Sequence, residues 1–188
     1  IICPIKTTIL GWQWNAGTLT PLVHKISALA LVDPPQTCTS MRSFIGAFKA
    51  LSKCIPGYAS LISPLEDAIK GLQGQNKIQW TDSLLGHFEN CRVALKSPKA
   101  VTIPIPSDQL ILTVDASVVN KGLGATLFII RDSKKLVGGF FSLKLNEHQL
   151  KWLPCEHEAL AISSALNFFA PYLLSLIHIS EPTRRVLI

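Results

Sequence analysis

The sequence has one methionine, Met41, and does not begin with it. No basic stretch leads into an apolar run near the N-terminus, so no signal peptide is expected and the chain reads as starting inside a longer protein. Paired CxxC spacing is missing as well. The five cysteines, Cys3, Cys38, Cys54, Cys91 and Cys155, are scattered and odd in number, which argues against a disulfide framework and for reduced intracellular thiols. Charge is sparse: 16% of residues are charged and 48% hydrophobic, a balance that excludes a disordered segment. Acidic residues are the scarcer sign, 12 against 18 basic ones, for a net charge of +6. That excess suits a polyanionic partner without specifying one. The sequence shows no internal repeat and no low-complexity tract.

Residues 159–180 lack Asp, Glu, Lys and Arg altogether, a run long enough to imitate a membrane span. Asn167, Pro171 and His178 interrupt it. The preferred reading is an amphipathic core helix; a membrane-anchored protein is the alternative, separable by the solubility of a chain ending at Leu173.

With 188 residues there is room for one sizeable core or two small ones. Residues 7–20 read as a short hairpin, with strand formers Ile9, Leu10, Trp12 and Trp14 and turn residues Asn15-Ala16-Gly17. Pro34-Pro35 marks an extended linker. A helix capped by Thr39 follows, with Met41, Phe44, Ile45, Phe48 and Leu51 on one face. A second helix fits Ala59 to Ile69. A third starts at Thr81-Asp82 and turns Leu84, Leu85, Phe88, Cys91 and Leu95 inward. Pro98, Pro104 and Pro106 then make a stiff connection over 98–108. Beyond it the pattern is strand-first: Leu110 to Val114, Gly122 to Ile130 and Leu136 to Leu143, with Arg131 to Lys135 as a turn. The final helix follows Pro154, with Ala159, Ile162, Ala165, Leu166 and Phe169 as its apolar face. The fold class is α/β (α+β overall), with a change of architecture near 97–108.

Two carboxylates carry the chemistry. Asp115 ends an apolar strand, and Glu158 lies in the first turns of the last helix. A strand-end Asp and a Glu from a helix beside it can share a divalent cation such as Mg²⁺, which prefers oxygen ligands. Two such ions can activate water and stabilise a leaving oxygen in phosphodiester cleavage. A solvated Asp and a Glu stabilised by the helix dipole explain the same spacing. Cys155 with His157 could ligate zinc but has no second pair. Gly122-x-Gly124 lacks the helix that phosphate cradling needs, and close packing of a buried strand explains it better. Lys121, Lys134, Lys135, Lys144 and Lys151 are candidates for backbone-phosphate contacts, or simply a solvated basic face. Trp12 and Trp14 could stack on nucleic acid or pack against the helices.

Several ordered segments resemble a known family. Leu10-Gly11-Trp12, Met41-Arg42-Ser43-Phe44-Ile45-Gly46, Ile55-Pro56-Gly57, Ser63-Pro64-Leu65 and Trp80-Thr81 resemble the thumb-to-connection region of gypsy-like long-terminal-repeat retrotransposon polymerases. In that family the x-proline-leucine step opens a helix. Val114-Asp115-Ala116-Ser117, Gly122-Leu123-Gly124-Ala125, Phe141-Ser142-x-Lys144-Leu145 and Glu156-x-Glu158-Ala159-Leu160-Ala161-Ile162 resemble the ribonuclease H domain of the same polyprotein. The resemblance covers about residues 3–173. It implies the end of a reverse transcriptase over 1–97, a linker over 98–108, and a truncated ribonuclease H-like mixed sheet with a packed helix over 109–173.

The implied activity is two-metal cleavage of the RNA strand of RNA–DNA hybrids. Asp115 and Glu158 are then the catalytic metal ligands, with Glu156 as fallback for Glu158, and Mg²⁺, or alternatively Mn²⁺, the cofactor. The implied partners are the hybrid and the upstream fingers and palm of the polyprotein. A cytoplasmic or virus-like-particle location follows, with no membrane association. The family's third carboxylate, on a strand after this helix, is not expected within the chain, so the fragment itself is expected to be inactive. The alternative is a degenerate, connection-like module that grips nucleic acid without cutting it. Finally, Leu174-Ser175-Leu176-Ile177-His178-Ile179-Ser180-Glu181-Pro182-Thr183-Arg184 resembles a translated sequencing adapter. Residues 174–188 are accordingly expected to be a non-native tail that adds nothing organised to the fold.

Overall fold

The computed structural model describes residues 5–117 and 121–177, with side chains to Leu174. The chain opens with three short strands, β1 (Lys6–Ile9), β2 (Trp12–Asn15) and β3 (Thr18–Pro21), paired antiparallel in sequence order. One hairpin was expected here; there are two. Leu10-Gly11 and Ala16-Gly17 each have two consecutive positive φ angles, the backbone of a type I′ turn whose twist matches the flanking strands. Leu10 therefore sits at a turn and not in a strand, and is 90% exposed.

Four helices follow: α1 (Val23–Ala30), α2 (Cys38–Lys49), α3 (Tyr58–Ala68) and α4 (Asp82–Leu95). The cap of α2 is Thr37, not Thr39. The Thr37 hydroxyl accepts from the Ser40 N–H while Ser40 Oγ accepts from the Thr37 N–H, a reciprocal capping box. Thr39 instead donates to the Gly74 carbonyl at 2.9 Å. Pro64 lies inside α3, which opens at Tyr58 after the left-handed Gly57; the proline step does not open it. Thr81 caps α4 as expected. Met41, Phe44, Ile45 and Phe48 of α2, Ile62 and Leu65 of α3, and Leu84, Phe88, Cys91 and Leu95 of α4 form one buried cluster. Each such side chain stabilises by roughly 1.5–3 kcal/mol. Phe44 and Trp80 pack on Phe88 at centroid distances of 4.9 and 5.6 Å. Burial pushes the Cys54 and Cys91 thiols up to about 12.

The connection over 98–108 is more than a tether. It contains β4 (Val101–Thr102), which pairs with β3 and closes a four-stranded sheet. It also ends on a clamp. Arg131 donates from Nε to Asp108 Oδ1 at 2.8 Å, and from Nη2 to Asp108 Oδ2 at 2.7 Å and the Ile103 carbonyl at 3.1 Å. The Ile105 N–H reaches Asp108 Oδ2 at 2.7 Å. The hydrogen bonds from Arg131 hold the Asp108 carboxyl below the usual carboxylate range; burial opposes them, and the Ile105 N–H and the guanidinium charge add to the depression.

The second sheet has the order β5 (Gln109–Ser117), β6 (Gly122–Arg131), β7 (Lys134–Lys144). A mixed sheet was expected, but among the described residues every pairing is antiparallel. The turn between β6 and β7 is only Asp132-Ser133, both at positive φ. A bulge opposite Leu127 and Phe128 places Gly139 at φ 153°, where a Cβ would lie 3.3 Å from the Phe169 ring.

One face of this sheet is covered by α5 (Pro154–Ile177). Its buried stripe is His157, Ala161, Ala165 and Phe169. Of the apolar face expected from the sequence, only Ala165 and Phe169 are buried; Ala159 is exposed, and Ile162 and Leu166 are about half exposed. Small alanines let the helix backbone approach the strands, and Phe169 then packs with Leu127 and Phe141. The helix continues through 174–177, into the segment expected to be unorganised; 178–188 lie outside the described residues. No helix among the described residues is long and apolar enough to cross a membrane.

Candidate functional site

Strand β5 alternates. Leu110, Leu112 and Val114 turn toward the core under α5, whereas Ile111, Thr113 and Asp115 alternate with them and are exposed. Asp115 therefore leaves its strand on the face opposite α5. Glu158 comes from the first turns of α5 and is also exposed. Despite these opposite origins, both border one cavity of about 230 Å³, lined by Val114, Asp115, Ala116, Glu158, Ala161 and Ile162. It lies where β5, an edge of the three-stranded sheet among the described residues, runs beside the helix.

The neighbouring glutamate is occupied differently. The Glu156 carboxylate accepts the Leu153 N–H at 2.7 Å, serving the start of the helix, and does not line that cavity. His157 is buried and its Nε2 donates to the Gln149 carbonyl at 2.6 Å, while Cys155 is exposed, so the two do not converge as a zinc pair. Among the described residues no group of three or more His, Cys, Asp or Glu is placed to hold a metal ion. The donors that Asp115 and Glu158 present are all carboxylate oxygens, a set that suits a hard divalent cation and not zinc or copper.

On its own face Asp115 meets a second, larger space. Strand register places Asp115, Gly124 and Ser142 in one cross-strand row, and Ser117, Gly122 and Lys144 in the next. These residues border a cavity of about 390 Å³, walled on the far side by Ser60, Ser63 and Asp67 of α3 and flanked by Lys121. Close packing does not account for Gly124: a Cβ built there would meet nothing within 4 Å. The glycine leaves the floor of the cavity free.

Of the lysines singled out in the sequence, Lys121 and Lys144 border this space. Lys151, in the short 3-10 turn Gln149–Lys151, borders none of the cavities that Asp115 lines. Lys135 stacks on Phe128, 3.8 Å from the ring centroid. Trp12 and Trp14 line a separate apolar cavity of about 520 Å³ with Leu19, Val101, Lys53 and Tyr172. Asp67, which pairs with Lys144, was not foreseen: it belongs to a helix distant in sequence, and no local pattern marks it.

Comparisons with known proteins agree with this architecture. The family model described as an RNase H-like domain found in reverse transcriptase matches residues 80–180. The Transposon Tf2-3 polyprotein of Schizosaccharomyces pombe (strain 972 / ATCC 24843) is 28% identical over 173 residues, 92% of this chain and 13% of the relative. The chain thus spans only a small part of the length of the curated relatives it matches. Among solved structures, a foamy viral protease-reverse transcriptase dRH in complex with double-stranded DNA superposes with a TM-score of 0.78 at 18% identity, over 97% of this chain and 34% of that one. A foamy viral protease-reverse transcriptase in complex with an RNA/DNA hybrid gives 0.76 at 19% identity, over 88% and 22%. These likenesses establish the fold.

Proposed function

The chain belongs to the family of RNase H-like domains found in reverse transcriptases, and on that footing we propose that it serves a retrotransposon Pol polyprotein as the segment where the polymerase passes into its ribonuclease H. Residues 1–97 are read as the end of the polymerase and 109–173 as the nuclease sheet with its helix. The reaction proposed for the whole protein is hydrolysis of the RNA strand of an RNA–DNA hybrid. One observation carries this reading: Asp115, from edge strand β5, and Glu158, from the helix packed on that sheet, border one cavity.

In this proposal Asp115 and Glu158 hold Mg²⁺ or Mn²⁺ by their carboxylate oxygens. When bound, the ions supply an activated water and charge stabilisation at the leaving oxygen. The chain's own residues position the backbone. Lys121 and Lys144 offer positive charge beside Asp115, with Ser142 in the same cross-strand row as Asp115 and Ser117 in the next. Such contacts read A-form shape and phosphates, so sequence preference is not expected. The proposed partners are the hybrid and the upstream fingers and palm, in the cytoplasm or a virus-like particle.

Two carboxylates give an ion few fixed oxygens. The 188-residue chain is therefore expected to bind hybrid more readily than it cuts it. The test pairs a titration of labelled RNA–DNA hybrid in EDTA with a cleavage assay in Mg²⁺, using Asp115→Asn and Glu158→Gln. Salt-dependent binding is expected, with any cleavage abolished by either substitution. Absence of binding at low salt, or cleavage indifferent to both substitutions, would reject the reading.

A further inference from the structure

The cavity on the α3 side of Asp115 holds a feature that phosphodiester hydrolysis does not require. Lys144 Nζ, on the last residue of β7, lies 2.7 Å from Asp67 Oδ2 on α3. The pair bridges the helical layer and the sheet across a space whose floor is Gly122 and Gly124 and whose α3 wall also carries the Ser60 and Ser63 side chains. Both partners remain open to solvent, the lysine 40% and the aspartate 60% exposed, and exposed pairs of this kind add little to stability. Lys70, Lys121, Glu147 and His148 line the adjoining space with the same two residues, so three lysines face the Asp67 and Glu147 carboxylates and the surroundings stay net basic.

A weak, accessible ion pair in a polar trough can be exchanged. A backbone phosphate offers Lys144 the same charge as Asp67, with the added gain of releasing condensed counterions from the nucleic acid. Ser60 Oγ already donates to the Gly57 carbonyl at 2.8 Å, so the Ser63 hydroxyl is the α3 donor for another phosphate oxygen. We propose that this cavity is a nucleic-acid backbone subsite shared between α3 and the sheet, and that Asp67 is a displaceable counter-ion that holds Lys144 until a phosphate takes its place. The inference rests on the hybrid-binding reading above. Asp67 then opposes binding twice: it occupies Lys144 in the free protein, and it faces the incoming phosphate once displaced, where it must recruit a cation of its own.

The experiment is equilibrium binding of a fluorescein-labelled RNA–DNA hybrid in EDTA across a salt series, for wild type, Asp67→Asn, Lys144→Met and the double variant. Asp67→Asn is expected to bind about two- to fivefold tighter at low salt, the scale of an exposed ion pair. Its log K against log salt should be steeper by up to about one, because no cation is taken up by the freed carboxylate. The gain should vanish near 1 M salt, where the screening length is roughly 3 Å. It should shrink when Lys144 is already Met, because only the repulsion between Asp67 and the phosphate is then left to relieve. An Asp67→Asn protein that binds no better than wild type overturns the proposal. So does a gain that persists in full in the double variant, which would mark general removal of negative charge. If wild type itself fails to bind at low salt, both this inference and the hybrid-binding reading fall. Circular dichroism of each variant confirms folding, which an exposed pair should not disturb.

Discussion

Replacing Arg131 with Met tests how the connection is fixed to the three-stranded sheet. The substitution keeps much of the side chain's length and apolar stem and removes three hydrogen bonds, two to Asp108 and one to the Ile103 carbonyl. What remains is the Asp108 carboxylate, 1% exposed, with the Ile105 N–H as its partner. Breaking a buried pair from one side costs about 3–5 kcal/mol. Arg131 is itself 23% exposed and Asp108 as a residue is only half-buried, which places the expectation below that range, at about 2 kcal/mol at pH 7. The pH dependence has a definite sign. Asp108 is depressed in the folded protein, so its contribution is present above the ordinary carboxylate pKa and is lost as pH falls through the lower folded value. Without Arg131 the largest lowering cause is gone and burial raises the carboxyl. The variant's deficit should shrink on acidification, since a protonated Asp108 tolerates burial. Urea unfolding at pH 7 and near pH 4 measures both effects, and adding Asp108→Asn should recover part of the loss at pH 7. A deficit below about 1 kcal/mol at pH 7, or one that ignores pH, would refute the reasoning, since it would place the pair among surface ion pairs.

Two further outcomes follow from packing. Gly139→Val should lower stability by more than about 1 kcal/mol, read as a fall in melting temperature, because the site has positive φ and the new Cβ would crowd Phe169; an unchanged melt would mean the bulge relaxes freely. Among Cys38, Cys54, Cys91 and Cys155, only exposed Cys155 should react promptly with an aromatic disulfide reagent. Cys54 and Cys91, pushed up to about 12 by burial, should react only on unfolding, and prompt reaction of either would contradict the packing.

The helices that could be read from the sequence are those with both a periodic apolar face and a terminal signal. Helix α4 has Thr81 before it and Leu84, Phe88, Cys91 and Leu95 along it. Helix α1 has a short apolar face in Ile26, Leu29 and Ala30 but no terminal signal: it is eight residues long, its cap residue Leu22 makes no side-chain hydrogen bond, and no acidic residue marks its first turn. At α2 three hydroxyl residues compete within four positions. The winner is decided by reciprocity, since Ser40 can answer Thr37 while Thr39 is drawn away to Gly74. In α5 two stripes at helical spacing lie side by side. Bulk suggested Ile162 and Leu166, but the sheet accepts the alanine stripe because closeness of approach, and not hydrophobicity alone, sets how a helix sits on strands. The Arg131–Asp108 clamp has no local signal, because its two ends meet only after β5 and β6 have paired.

The site divides along the same line. Asp115 could be located because a strand-end carboxylate interrupts an otherwise apolar run, and Glu158 because it starts a helix that follows. What the sequence could not supply is the side of the sheet each one serves. Register puts Asp115 in a row with Gly124 and Ser142, facing α3, so the helical layer borders the proposed site and is not merely joined to it by a linker. This is why β4 and the Arg131 clamp matter beyond stability. They fix the connection between layers, and with it the distance at which Asp67 meets Lys144. A loosened clamp should therefore weaken the Asp67–Lys144 exchange before it disturbs Asp115 and Glu158, whose shared cavity is built from β5 and α5 alone.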